Sequence, residues 1–214
     1  MVLKKPINNK EWLSKTTRFN QILEYTPEKL LMVKKNVKYF LGNNIKGNVI
    51  QIGAVRTYSL YLSTIATNLT IVDYSDAAIK ASKGSFDKNS YSTKNVTFVT
   101  ERMEKYSKLK SADYILFTNS MSFSSIPDTI KNLDNNCKVG CKIIILEVLG
   151  SLLSSLRTDL SKKELNEKIK WKNNLLLIEK LFKKNPKWEL SKKEIKQLEP
   201  GPIQLVLHYT KITF

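Results

Sequence analysis

From Asn48 onward the sequence alternates short apolar runs with segments of helical periodicity. "VIQIG" is followed by "TYSLYLSTIA" and "LTIVD" by "SDAAIKASKGSF"; "NVTFV", "ADYILFTN", the helical "IPDTIKNLDNN" and "KIIILEV" continue the series. Strands rich in Val and Ile, with helices between them, predict a parallel sheet covered on both faces, because only a two-sided cover buries such runs. Right-handed crossovers then leave few topologies. The expected fold class is α/β: a doubly wound, mostly parallel sheet.

The flanks read differently. In "EWLSKTTRFNQILEY", Trp12, Leu13, Phe19, Ile22, Leu23 and Tyr25 recur at helical spacing. A second helix starts with Thr26 as N-cap and Pro27 at the first helical position. Leu30, Leu31, Val33, Val37 and Phe40 form its buried face, and "LGNN" stops it. After Ser151 the pattern is helical again: Ser161 and Glu164 form a capping-box signature, and Leu165, Ile169, Leu176, Ile178, Leu181 and Phe182 can pack. "WELSKKEIKQL" and "QLVLHYTKITF", separated by the turn "EPGP", predict an antiparallel hairpin that closes the sheet. With 214 residues the chain reads as one domain. Residues 1–47 form a helical cap, 48–150 the ligand-binding half, 151–187 a helical insertion and 188–214 the closing hairpin.

Composition excludes several classes. No run approaches the roughly 18 apolar residues of a membrane span, and "MVLKKPINNKEW" lacks the apolar centre of a signal peptide, so a cytoplasmic protein without membrane attachment is expected. Cys137 and Cys141 lack companion ligands, which leaves neither a disulfide framework nor a metal site. The one histidine, His208, lies in the last strand and reads as structural rather than as a general base, so no nucleophile–His–acid triad can be assembled. Phosphate-loop patterns are absent too. Lys and Arg number 36 against 19 acidic residues, a formal charge of +17. That excess attracts polyanions, but the preponderance of lysine, with many Asn, Ile and Ser, is also what an AT-rich coding sequence produces.

In an open α/β sheet the ligand sits beyond the carboxyl ends of the strands, so the residues after each strand carry the chemistry. These are Gly53, then Asp73, then Glu101 and Arg102, then Thr118, Asn119 and Ser120. With "VIQIGAVRTYSLYLS", "TIVDYSDAAIKAS", "NVTFVTERMEKY", "ADYILFTNSMSFSSIPDTIKNL", "KVGCKIIILE" and the late hairpin in this order, the chain resembles the class I S-adenosylmethionine (SAM) dependent methyltransferases over about residues 10–214. The resemblance implies a Rossmann-like sheet of seven strands whose last strand is inserted antiparallel, SAM as cofactor, and a small-molecule or RNA acceptor.

It also implies site residues. Asp73 would accept the two ribose hydroxyls, or, read from the residues alone, cap the helix beginning near Ser75. Gly53, Ala54 and Tyr74 would also contact the cofactor, and Gln51 stands where relatives place an acidic residue that helps hold the charged methionine end. Glu101, Arg102 and Met103 follow the third strand, where relatives place an acidic residue against the adenine amino group. Arginine cannot accept a hydrogen bond, so Glu101, a backbone carbonyl or Glu104 would do so. Asn119 and its neighbours would face the methionine part and the acceptor, or form a polar loop. Gly140 matches the turn into the fifth strand.

The glycine-rich loop departs from the family pattern. Only its first glycine remains, and Val55 and Thr57 occupy the next two places, where positive φ would strain a β-branched residue. Gln51 replaces a common acidic residue. No catalytic residue is assigned, because a sulfonium donor is already activated and the protein mainly aligns the acceptor. Three functions stay open: methyl transfer, a methyltransferase-like binding or regulatory protein without activity, and transfer of another group from SAM such as aminocarboxypropyl.

Overall fold

The computed structural model describes residues 27–41, 45–118, 120–121, 124–148, 174–197 and 203–213. The helix expected over residues 12–25, the capping box at Ser161 and Glu164, the turn "EPGP" and Asn119 lie outside these residues. Helix α1 spans Pro27–Leu41, followed by β1 (Asn48–Ile52), α2 (Arg56–Ile65), β2 (Asn68–Asp73), α3 (Asp76–Lys88) and β3 (Val96–Thr100). Then come β4 (Tyr114–Thr118), α4 (Ile126–Asn136), β5 (Lys142–Val148), α5 over residues 174–183, β6 (Trp188–Gln197) and β7 (Ile203–Lys211).

All seven strands form one sheet in the order β3-β2-β1-β4-β5-β7-β6. The first five are parallel, and β7 runs antiparallel between β5 and β6. This is the topology expected from the alternating runs and the late hairpin. The chain changes direction across the sheet at β1 and β4, and in such sheets ligands bind outside the carboxyl ends of the strands at that switch point.

Strand alternation divides the core. Ile50, Ile52, Ile115, Phe117, Ile143, Ile145 and Leu207 point to one face, where α4 and α5 bring Ile130, Leu133, Ile178 and Phe182. Val49, Leu69, Ile71, Leu116, Ile144 and Val206 point to the other, beneath Val33 and Val37 of α1, Leu60 and Leu62 of α2, and Phe86 of α3. Both faces are apolar because both are covered, which is why the strands read as continuous runs.

The crossover from β3 to β4, residues 101–113, is a chain of turns rather than a helix. Met103, Tyr106, Leu109 and Ala112 anchor it in the core. Asn132 of α4 holds it as well, donating through Nδ2 to the carbonyls of Met103 at 2.6 Å and Tyr106 at 2.8 Å.

Candidate cofactor site at the carboxyl edge

The loop between β1 and α2 has three residues, Gly53, Ala54 and Val55, before the helix begins. Gly53 has φ +89° and needs to be glycine: a Cβ there would lie 2.8 Å from Cβ of Ser120 and 3.0 Å from the carbonyl oxygen of Thr118. The β-branched residues carry no such strain. Val55 is the N-cap of α2 with φ −74° and ψ 103°, and Thr57 lies buried inside the helix. The loop therefore takes a path on which only the first glycine is required, and the strain expected at Val55 and Thr57 is absent.

Gln51 supports that path from below. It is 0% exposed. Its Nε2 donates to the carbonyl of Gly53 at 2.8 Å, and its Oε1 accepts from Oγ of Ser59 at 2.9 Å. Thr118 and Ser120, at the end of β4, complete the support, with Oγ1 of Thr118 donating to the Gly53 carbonyl at 2.8 Å and Oγ of Ser120 to the Ile52 carbonyl at 2.6 Å. The Gln51 side chain thus has no exposed surface and is engaged beneath the loop, which it supports. Thr118 and Ser120 were legible only as residues after a strand, and Ser59 had no signal beyond its helical position.

Asp73 ends β2 on the open side of this loop. Oδ2 accepts from the backbone N–H of Ala54 at 2.9 Å and Oδ1 from that of Ser75 at 2.9 Å. Burial pushes its carboxyl above the usual range, while hydrogen bonds from the Ala54, Ser75 and Tyr74 backbone oppose the shift. The cap of α3 is Ser75, whose Oγ accepts from the N–H of Ala78 at 3.3 Å. The two carboxylate oxygens of Asp73 offer about four lone-pair directions; with the backbone N–H groups of Ala54, Ser75 and Tyr74 on three of them, one remains for a further donor. Ala54 and Tyr74, both half-buried, flank it.

Beyond β3, Glu101 is half-buried and its backbone N–H donates to the Asp73 carbonyl at 3.0 Å, placing the second and third strand ends side by side. Arg102 is exposed, its Nε 4.0 Å from Oε2 of Glu104. Oε1 of Glu104 accepts the backbone N–H of Ser125 at 2.7 Å, tying the crossover to the start of α4. The side chain of Met103 is 4% exposed and packs in the core. Glu147 of β5 is buried at the same edge, a carboxylate inside an otherwise apolar strand. The strand "KIIILEV" carried that signal in its penultimate residue.

His208 lies mid-strand in β7, opposite Ile144 of β5, and not at the carboxyl edge. Gly140, with φ +81°, sits in the turn into β5 as expected. Among the described residues, no group of three or more His, Cys, Asp or Glu could hold a metal ion, and no helix is long and apolar enough to cross a membrane.

A seven-stranded sheet in this order, with its antiparallel β7 and a glycine-turn crevice at β1 and β2, is the fold of the class I SAM-dependent methyltransferases. Among solved structures, the chain is similar to a protein of Methanococcus maripaludis provisionally described as an S-adenosyl-L-methionine-dependent methyltransferase. The TM-score is 0.64 and the identity 16%, over 100% of this chain and 98% of that one. It is also similar to magnesium protoporphyrin IX methyltransferase from Synechocystis with bound S-adenosylhomocysteine (SAH), at TM-score 0.59 and 11% identity over 95% and 100%. A third likeness is to the N-methyltransferase NodS of Bradyrhizobium japonicum in complex with SAH, at 0.60 and 11% over 88% and 90%. No protein-family model and no curated protein matches the sequence.

Proposed function

We propose that the chain is a SAM-dependent methyltransferase whose cofactor lies across the carboxyl ends of β1, β2 and β3. The observation that carries this reading is the pairing of Asp73 with the Gly53 turn: a half-buried carboxylate at the end of β2, hydrogen-bonded to the loop that only glycine can open. The residues present fit an adenosine. The open lone pair of Asp73 would accept from the ribose diol, and Glu101 would be the acidic side chain beside the adenine. Val55, the N-cap of α2, makes no side-chain cap, so the first-turn amides and the helix dipole would favour a carboxylate such as that of the methionine moiety. When bound, SAM supplies a methyl group already activated on a sulfonium.

The protein's own part is to hold the loop, orient the ribose and align an acceptor, for which a small molecule or RNA is proposed. Asn119 is retained as a residue facing that acceptor. A cytoplasmic location is part of the same reading. Gln51, buried beneath the loop, and Arg102, in place of an acidic acceptor, favour the second reading, a methyltransferase-like binding protein without activity.

Calorimetry with SAM and SAH decides between them. Submillimolar binding is expected, weakened roughly ten- to a hundredfold in Asp73→Ala, as loss of about 1.5–3 kcal/mol of charge-assisted hydrogen bonding requires. Because the carboxyl is shifted upward, affinity should begin to fall with acidification at a higher pH than for an ordinary aspartate. Absence of heat at millimolar SAM and SAH would select the second reading.

A further inference from the structure

The two edges of the sheet differ in charge. At the carboxyl edge, residues 53–56, 73–76 and 101–105 hold Arg56, Arg102 and Lys105 against Asp73, Asp76, Glu101 and Glu104. The opposite, amino edge is built by residues 45–48, 66–68, 89–95, 107–113, 137–142, 184–188 and 210–213. These segments carry nine lysines, and Asp113 is their one acidic residue. Asp113 is itself neutralised by Lys138, whose Nζ donates to Oδ1 at 2.5 Å. Lys211 is buried, its ammonium donating to the carbonyls of Asp134 and Cys137. Of the other seven, Lys187 is half-buried and Lys46, Lys94, Lys108, Lys110, Lys142 and Lys184 are exposed.

These lysines precede or begin β3, β1, β4, β5 and β6, which stand in that order along the sheet. With strands about 4.8 Å apart, the six gaps give a rim of roughly 29 Å, comparable to eight or nine base-pair steps of about 3.4 Å. A lysine excess from coding bias alone would load all loops alike; among the described residues the lysine-rich, acid-poor loops lie on the amino edge. Among the described residues, the large apolar side chains exposed on these segments are the aliphatic Val139 and Ile212, not aromatic rings on which unpaired bases would stack.

We propose that the amino edge of the sheet is a docking face for the phosphate backbone of a nucleic-acid duplex, bound without reading of sequence. The five-residue strands β1 and β4 separate this rim from the carboxyl edge by roughly 17 Å. Docking there tethers the protein to a polyanion without delivering a base to the cofactor crevice, and it stands independently of methyl transfer.

The test is fluorescence anisotropy of the full chain with a labelled 20-base-pair DNA duplex and the RNA duplex of the same sequence, from about 50 to 200 mM salt. Two variants carry equal charge change: Lys46→Gln/Lys94→Gln/Lys108→Gln/Lys110→Gln on the rim, and Lys34→Gln/Lys35→Gln/Lys83→Gln/Lys131→Gln on exposed helix faces. The rim variant is expected to bind either duplex at least about tenfold more weakly. Its slope of log affinity against log salt should be shallower by about 3.6, at roughly 0.9 per lost phosphate contact, while the helix variant changes less than about threefold. Circular dichroism establishes that both are folded. Equal weakening by the two variants overturns the proposal, as does absence of duplex binding at 50 mM salt. Tighter binding of the single strand or of polyglutamate than of the duplex also overturns it.

Discussion

At the scale of the residue, the β1–α2 loop turns on which backbone angles are unusual. Gly53 has positive φ and is packed against Ser120 and Thr118, so Gly53→Ala combines strain with a clash. A loss of about 1–3 kcal/mol in urea unfolding is expected, together with weaker SAH binding. Val55 is the informative contrast. Its φ of −74° suits any residue, so Val55→Gly, which restores a familiar glycine, should not tighten SAH binding and should cost about 0.5–1 kcal/mol through the more mobile unfolded chain. An affinity gain in that variant would mean that the loop moves to a glycine-dependent path in solution. One glycine in the loop was legible in the sequence; that one suffices was not, because φ depends on where the helix starts.

At the scale of the element, α4 organises the face beneath the site. Its Asn132 stands in for a helical crossover by satisfying two carbonyls of the turns at residues 103 and 106. Its far end is clamped through Asp134, whose carboxylate accepts from Nε1 of Trp188 at 2.5 Å and from Nδ2 of Asn185 at 2.8 Å. Asn132→Ala leaves two buried acceptors without their donor and is expected to lower stability by about 2–4 kcal/mol, read from the urea midpoint. Asn132→Asp should be worse still, since a carboxylate offers no N–H to either carbonyl. The helix itself was apparent from "IPDTIKNLDNN", and the Met103 position from its place after β3. That the Met103 side chain belongs to the core was hidden, because an irregular crossover has no periodicity to reveal which residues face inward.

At the scale of the whole molecule, pH and charge set the stability profile. His208 lies between β5 and β6 under α1. Burial lowers its pKa to about 4, the ammonium groups of Lys192 and Lys142 push the same way, and Glu194 opposes them. Lys192 also sits 4.5 Å from the ring centre of Tyr39, whose hydroxyl donates to Glu194 at 2.6 Å. The imidazole is thus kept neutral in the folded protein, with Nε2 buried and unpartnered among the described residues. In the unfolded chain it titrates near 6.5, so its contribution is complete above that pH and is lost as pH falls from about 6.5 through 4. Urea midpoints at pH 7.5 and 5.0 are expected to differ less in His208→Gln than in the parent chain. An unchanged pH difference would assign acid sensitivity to the +17 net charge instead.

The sequence by itself determined the alternation of strands and helices, the parallel sheet and the hairpin that ends it. Burial on one face or two imprints a period on neighbouring residues, and a period is a local property. It also located Asp73 and Gly53, since both follow directly from the end of a strand. Only the tertiary structure decided that Gln51 lies beneath the loop, and that Val55 and Thr57 are unstrained. Among the described residues, it likewise gathered nine lysines in the loops of the opposite edge of the sheet. Those outcomes depend on which distant segments meet, on the hydrogen bonds that β4 and α2 supply to a loop many residues away, and on how strand direction sorts the connecting loops. Such relations are set when the chain closes on itself and leave no periodic mark in the order of its residues.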